Sequence, residues 1–117
     1  MSEKALIGVV GPCKSGKSTL IRGLREKGYE ARQIAQEHSF APTMWQRITN
    51  PDVLIYLHSD YESTIARGLN WLERDYDAQG PRLAHAREHA DLEVSTDSLS
   101  PETVLAQILD FLKSNEM

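Results

Sequence analysis

The chain has 117 residues, the size of one domain around one core, and 40% hydrophobic with 26% charged residues is the balance of a globular protein rather than a disordered one. Its apolar runs are too short to cross a membrane, and the opening MSEKALIGVVG, with an acidic residue and a brief apolar stretch, does not read as a signal peptide. A net charge of −4 argues against a nucleic-acid partner, and a single cysteine, Cys13, excludes an internal disulfide and fits the reducing cytoplasm.

Ala5 to Val10 (ALIGVV) is a short apolar run rich in β-branched residues that stops at Gly11-Pro12, the pattern of a strand buried on both faces. A helix is predicted from Gly16, with Leu20, Ile21 and Leu24 facing inward and Gly28 as its stop. Residues 29–36 read as a weak second strand. Ser39 to Asn50 shows no period; Pro42 and Pro51 punctuate a loop with one helical turn around Trp45. Val53 to Leu57 is the strongest strand. The helix after it places Ile65, Leu69, Leu72 and Tyr76 on one face. Gly80-Pro81 is expected to interrupt it, with Pro81 starting a further helix at about Arg82. Residues 91–95 form a short strand. Ser100 as N-cap and Pro101 at the first helical position open the last helix, whose buried stripe is Val104, Leu105, Ile108, Leu109 and Leu112. This alternation predicts an α/β fold of three layers, helices on both faces of a parallel sheet of about four strands, in one domain over residues 1–117.

Between the first strand and the first helix stands GPCKSGKST, in which Gly11 is followed by four residues and then Gly16-Lys17-Ser18. Glycines let the backbone turn tightly and present its N–H groups, and the helix N-terminus behind them favours an anion. The candidate phosphate-binding residues are Gly11, Pro12, Cys13, Lys14, Ser15, Gly16, Lys17, Ser18 and Thr19. Lys17 would reach the β- and γ-phosphates, Ser18 would ligate Mg²⁺, and Thr19 offers a hydroxyl toward the α-phosphate. Charge follows the same trend. Residues 1–48 hold eight Lys or Arg against four Asp or Glu, and residues 49–117 hold five against thirteen. The basic excess is expected around this loop, as attraction for a small polyanion.

On these residues the chain resembles the P-loop NTPases, and among them the small P-loop kinases. PDVLIYLHSD is similar to the strand before the lid helices of nucleotide and dephospho-coenzyme A kinases. The stretch from Ala66 to Leu112 is similar to their arginine-bearing lid, last strand and last helix. The resemblance covers most of the chain, and only the glycine-lysine loop is highly specific. It implies a nucleoside triphosphate, ATP or another, with Mg²⁺. It also implies that Thr96 to Pro101, after the last strand, lies near the base. The guanine signature of GTPases is missing there, which favours ATP.

The family also needs an acid for the metal. Asp52 precedes its strand and falls at the wrong edge of the sheet. Glu37 and Asp60 fall at the right edge, and Glu37 is preferred as metal ligand and catalytic residue. Arg67, Trp71 and Arg74 are spaced to share one helix face. Arg67 and Arg74 are assigned to the lid as catalytic charges on the moving phosphoryl group, with surface salt bridges as the bland alternative. His38 and, more weakly, His58 are candidates for positioning water or substrate. His85 and His89 are four apart, but no further ligand for a metal is evident. Trp45 and Trp71 read as core.

Only about two dozen residues separate Gly28 from Val53, which leaves no room for the acceptor-binding subdomain of such kinases. Two functions stay open: a Mg²⁺-dependent phosphotransferase or hydrolase with an unknown acceptor, and a nucleotide-binding switch or partner-binding module with little catalysis.

Overall fold

The computed structural model describes residues 5–115. Four strands, β1 (Leu6–Val10), β2 (Glu30–Gln33), β3 (Val53–His58) and β4 (Leu92–Ser95), pair in the order β2-β1-β3-β4, and every pairing is parallel. Parallel neighbours need crossovers, and helices supply them. α1 (Lys17–Glu26) joins β1 to β2, α2 (Tyr61–Ala66), α3 (Glu73–Asp77) and α4 (Gln79–His89) join β3 to β4, and α5 (Pro101–Ser114) follows β4.

Alternation along the central strands divides the core in two. Ile7 and Val9 of β1, with Val53, Ile55 and Leu57 of β3, face α1 and α5, where Leu24, Ile108 and Leu112 are buried against them. Val10, Leu54 and Tyr56 face the other way, onto Leu83 and Ala86 of α4 and onto Trp45, in the π-helical turn Trp45–Thr49. Helices therefore pack on both faces, compatible with three layers. The last helix begins as expected: the Ser100 hydroxyl accepts from the Thr103 amide at 3.1 Å, with Pro101 at the first helical position.

The strand starts are latched by acids. Asp52 accepts from the Leu6 amide at 2.7 Å and returns its own amide to the Leu6 carbonyl at 2.8 Å. Asp91 makes the same exchange with Leu54, at 2.8 Å each way. Asp52 is thus a structural acid at the amino edge of the sheet.

Two expectations about the segment after β3 need correction. The long helix is broken. α2 ends at Ala66, Gly68 takes φ 105° in the left-handed region that terminates helices, and α3 begins only at Glu73. Arg67, Trp71 and Arg74 therefore do not share a helix face, and Leu72 is exposed while Leu69 is buried. Nor does Gly80-Pro81 interrupt a helix. It lies in the first turn of α4, where the missing proline N–H would have had no helical partner anyway. Among the described residues no helix is long and apolar enough to cross a membrane.

Candidate functional site

The carboxyl ends of the four strands share one edge of the sheet, and β1 lies between β2 and β3. In open parallel sheets ligands gather at this edge. The glycine-lysine loop leaves β1 there. Its shape needs special backbone: Lys14 has φ 64° and Gly16 φ 102°, and the Ser15 amide closes a turn onto the Pro12 carbonyl at 3.2 Å. At Gly11 even a methyl group is excluded, because a Cβ would stand 2.3 Å from the Leu57 carbonyl oxygen. No side chain caps α1 and no acid sits in its first turn, so its positive end is not neutralised from within the helix.

Lys17 is buried in the first turn of α1. Its ammonium donates to the carbonyls of Gly11 and Pro12, each at 2.9 Å, and lies 2.8 Å from Oε2 of Glu37. Glu37 is itself only 2% exposed and sits in the tight turn Gln36–His38 that follows β2. The other oxygen of that carboxylate, Oε1, has no hydrogen-bond partner, and neither has the buried hydroxyl of Ser15. Such orphaned buried atoms are rare. Ser18 donates to Oε1 of Gln33 at 2.9 Å. Lys17, Ser18, Gln33, Glu37 and His38 border one hollow of about 440 Å³ with Cys13, Lys14 and Thr19. The oxygen donors that could hold a hard cation there are Glu37 and Ser18.

A second hollow of about 310 Å³ shares Gly16, Thr19 and Arg67 with the first and is walled by Leu20, Thr96, Leu99, Pro101 and Val104. Arg67 joins the two. Its guanidinium donates to the Lys14 carbonyl at 3.0 Å, to the Thr96 hydroxyl at 3.1 Å and also to the Thr96 carbonyl. The Thr96 hydroxyl in turn donates to the Ser15 carbonyl at 2.9 Å. Arg74 lies elsewhere: its side chain is 81% exposed, and its nearest acid is Asp75 at 4.0 Å.

The two candidate acids separate cleanly. Asp60 is the N-cap of α2, accepting from the Ser63 amide at 2.8 Å. Glu37 is the one beside Lys17. Asp97 braces the same edge by accepting from the Ser59 hydroxyl at 2.9 Å and the Asp60 amide at 3.0 Å. Burial raises its pKa, but these donors, with Ser63 and His58, outweigh it and leave the carboxyl below its ordinary value. Tyr76 donates to the Ser59 carbonyl, and burial pushes its phenol up to about 12.

His38 is exposed, its ring edge-on to Trp71 with centroids 6.1 Å apart and its Nε2 3.9 Å from Glu37. His58 ends β3, half-buried. Trp45 is core, and its indole N–H donates to Nδ1 of His85 at 3.1 Å; His85 stacks on His89 at 4.2 Å. Among the described residues no three His, Cys, Asp or Glu side chains form a metal cluster.

Sequence reasoning missed two buried glutamines. Gln79, at the start of α4, accepts the Cys13 amide at 2.8 Å and so ties that helix to the loop. Gln36 accepts the Trp45 amide at 2.9 Å and donates to the carbonyls of Ala41 at 2.8 Å and Arg82 at 3.1 Å, fixing the turn that carries Glu37. An uncharged side chain bonded far along the chain leaves no periodic trace; only the position of Gln36 just past a strand was a signal. The basic half also needs correction. Lys14 and Lys17 border the 440 Å³ hollow, whereas Arg22, Arg25 and Arg32 line a separate groove between α1 and β2. No protein-family model matches the chain, and no curated protein matches it at a significant level.

Proposed function

We propose that this chain is a P-loop protein of three-layer α/β/α architecture. In this reading it binds a nucleoside triphosphate with Mg²⁺ and passes the γ-phosphoryl group to an acceptor or to water. One observation carries the reading: the buried Lys17 ammonium and the buried Glu37 carboxylate meet at 2.8 Å behind a loop whose backbone is left-handed at Lys14 and Gly16. Desolvation of a buried ion pair often exceeds its Coulombic gain, which favours a role for this pair beyond stability.

The residues present fit Mg²⁺. That ion takes few protein ligands, all oxygen, and keeps several waters. Glu37, with its partnerless Oε1, and the Ser18 hydroxyl supply such donors. When bound, the ion would neutralise charge on the phosphate oxygens. The chain's own groups do the rest. Lys17 is held in place by two carbonyls and offers positive charge to the β- and γ-phosphates. The Cys13 and Ser15 amides are taken by Gln79 and Pro12, so the amides of Lys14 and Gly16 with the start of α1 would cradle the phosphate oxygens. Arg67, fixed between the loop and Thr96, brings a second charge to the same end. The apolar walls of the 310 Å³ hollow, Leu20, Leu99, Pro101 and Val104, suit a nucleobase, ATP for preference.

The second reading, a nucleotide switch with little catalysis, is favoured by one specific feature. The residues between β2 and β3 are used in the Gln36–His38 turn and the Trp45–Thr49 turn, and Gln36 and Trp45 bond to Arg82 and His85 of α4. No acceptor-binding subdomain stands there among the described residues. Binding of ATP and release of phosphate, each measured with Mg²⁺ in the wild type and in Lys17→Ala, separate these outcomes. Turnover lost in Lys17→Ala supports the enzyme. Tight binding without turnover supports the switch, and no binding at all rejects both.

A further inference from the structure

The groove between α1 and β2 is open, about 820 Å³, and is lined by Arg22, Arg25 and Arg32 with Ser18, Gln33 and Ile21. Glu26 is the one acid on its wall, so the lining carries a net positive charge of two. Among the described residues no carboxylate comes within 4.0 Å of any of the three guanidinium groups, whereas Arg87 has Glu93 at 2.8 Å and Arg74 has Asp75 at 4.0 Å. Arg22, Arg25 and Arg32 are all exposed and share one acid between them, so this surface keeps a positive excess that attracts a small anion. Arg25 is already pinned: its Nε and Nη2 both donate to the Ala31 carbonyl, at 3.0 and 2.8 Å. That uses two of its five N–H donors and leaves the rest on a fixed plane. Ser18 and Gln33, joined at 2.9 Å, border both this groove and the 440 Å³ hollow.

We propose that the α1–β2 groove binds a second small molecule bearing phosphate, separate from the nucleotide and beside its phosphate end. Arginine suits this chemistry because its fork of donors matches phosphate oxygens two at a time. A polymeric polyanion is disfavoured by the acidic remainder of the chain, with its thirteen Asp or Glu against five Lys or Arg in residues 49–117. The groove's own binding does not require the nucleotide reading to hold.

The test is a titration of the full chain with inorganic pyrophosphate, followed by amide chemical shifts in the wild type, in Lys17→Ala and in the double variant Arg22→Ala/Arg32→Ala. Arg25 is left intact because it braces β2. The expected result is two separable sites. Shifts at Ile21, Arg25 and Glu26, which line the groove alone, persist in Lys17→Ala, and the affinity they report weakens at least about tenfold in the double variant. Shifts around Gly16 and Lys17 show the opposite dependence. The proposal is overturned if the groove amides do not respond in the wild type, if their response disappears with Lys17, or if it survives loss of both arginines. A Lys17-centred response to ATP, read in the same spectra, tests the nucleotide reading independently. Arg22→Lys/Arg32→Lys guards against misfolding: it keeps the charge but loses the fork, so intermediate affinity is expected, and no affinity with native dispersion of the spectrum counts against the proposal as well.

Discussion

Lys17 and Glu37 form a buried ion pair at 2.8 Å that joins the start of α1 to the turn after β2, twenty positions apart in the chain and adjacent in space. The pair is a structural debt as well as a candidate site, because removing either partner strands the other charge away from water. Glu37→Leu and Lys17→Met should each lower unfolding free energy by about 3–5 kcal/mol, and the double variant Lys17→Met/Glu37→Leu by less than the sum. Urea unfolding of the four proteins measures this. Additive losses would show that the two charges do not stabilise each other.

The same pair bears on ligand binding. Glu37→Gln should weaken Mg²⁺-dependent ATP binding, while Asp52→Asn should leave it unchanged, since Asp52 is bonded to Leu6 at the opposite edge of the sheet. Calorimetry with and without Mg²⁺ checks the ranking, and the reverse order would reject Glu37 as a metal ligand.

Arg67 and Arg74 should behave differently. Arg67 bonds to the loop and to Thr96, and Arg67→Ala is expected to cost about 1.5–3 kcal/mol in kcat/KM if the protein turns over, or in ATP binding if it does not. Arg74 is exposed, and Arg74→Ala should change either quantity by less than about 0.5 kcal/mol. Equal effects would return Arg67 to a purely structural role.

Two glycines should respond with opposite sign. Gly11→Ala drives a Cβ against the Leu57 carbonyl and should destabilise by more than about 2 kcal/mol. Gly80 lies in the first turn of α4 with nothing within 4 Å of an added Cβ, so Gly80→Ala should stabilise by about 0.4–1 kcal/mol through the unfolded chain. Thermal or denaturant unfolding decides both.

Tyr76 supplies a signature in alkali. Burial raises its phenol from 10.0 to about 12 in the folded protein. A folded pKa above the unfolded value means that its contribution is fully present below pH 10 and is lost as pH rises toward 12. Absorbance titration should show a late-ionising tyrosine that Tyr76→Phe removes. An unchanged late phase in the variant would place that phenol elsewhere, with Tyr56, also raised by burial, as the other source.

Local chemistry determined much of this protein in advance. β-branched runs marked β1 and β3, Gly28 marked the end of α1, Ser100-Pro101 marked the start of α5, and Gly11 with Gly16-Lys17 marked a tight loop between β1 and α1, because each signal lies within a few residues of the structure it specifies. The acids were only half legible. Glu37 and Asp60 both follow strands, and it is the packing of the Gln36–His38 turn, held by Gln36, that brings Glu37 to Lys17 while Asp60 is spent on capping α2. Periodicity overran Gly68, since Ile65, Leu69, Leu72 and Tyr76 fit a helix that the left-handed glycine ends. Gln79 reaching Cys13 across 66 positions, and the parting of Arg22, Arg25 and Arg32 from the loop, depend on how α1, β2 and α4 dock. Hydrogen bonds and charge clusters between distant segments are set by strand order and helix placement, so only the tertiary structure could decide them.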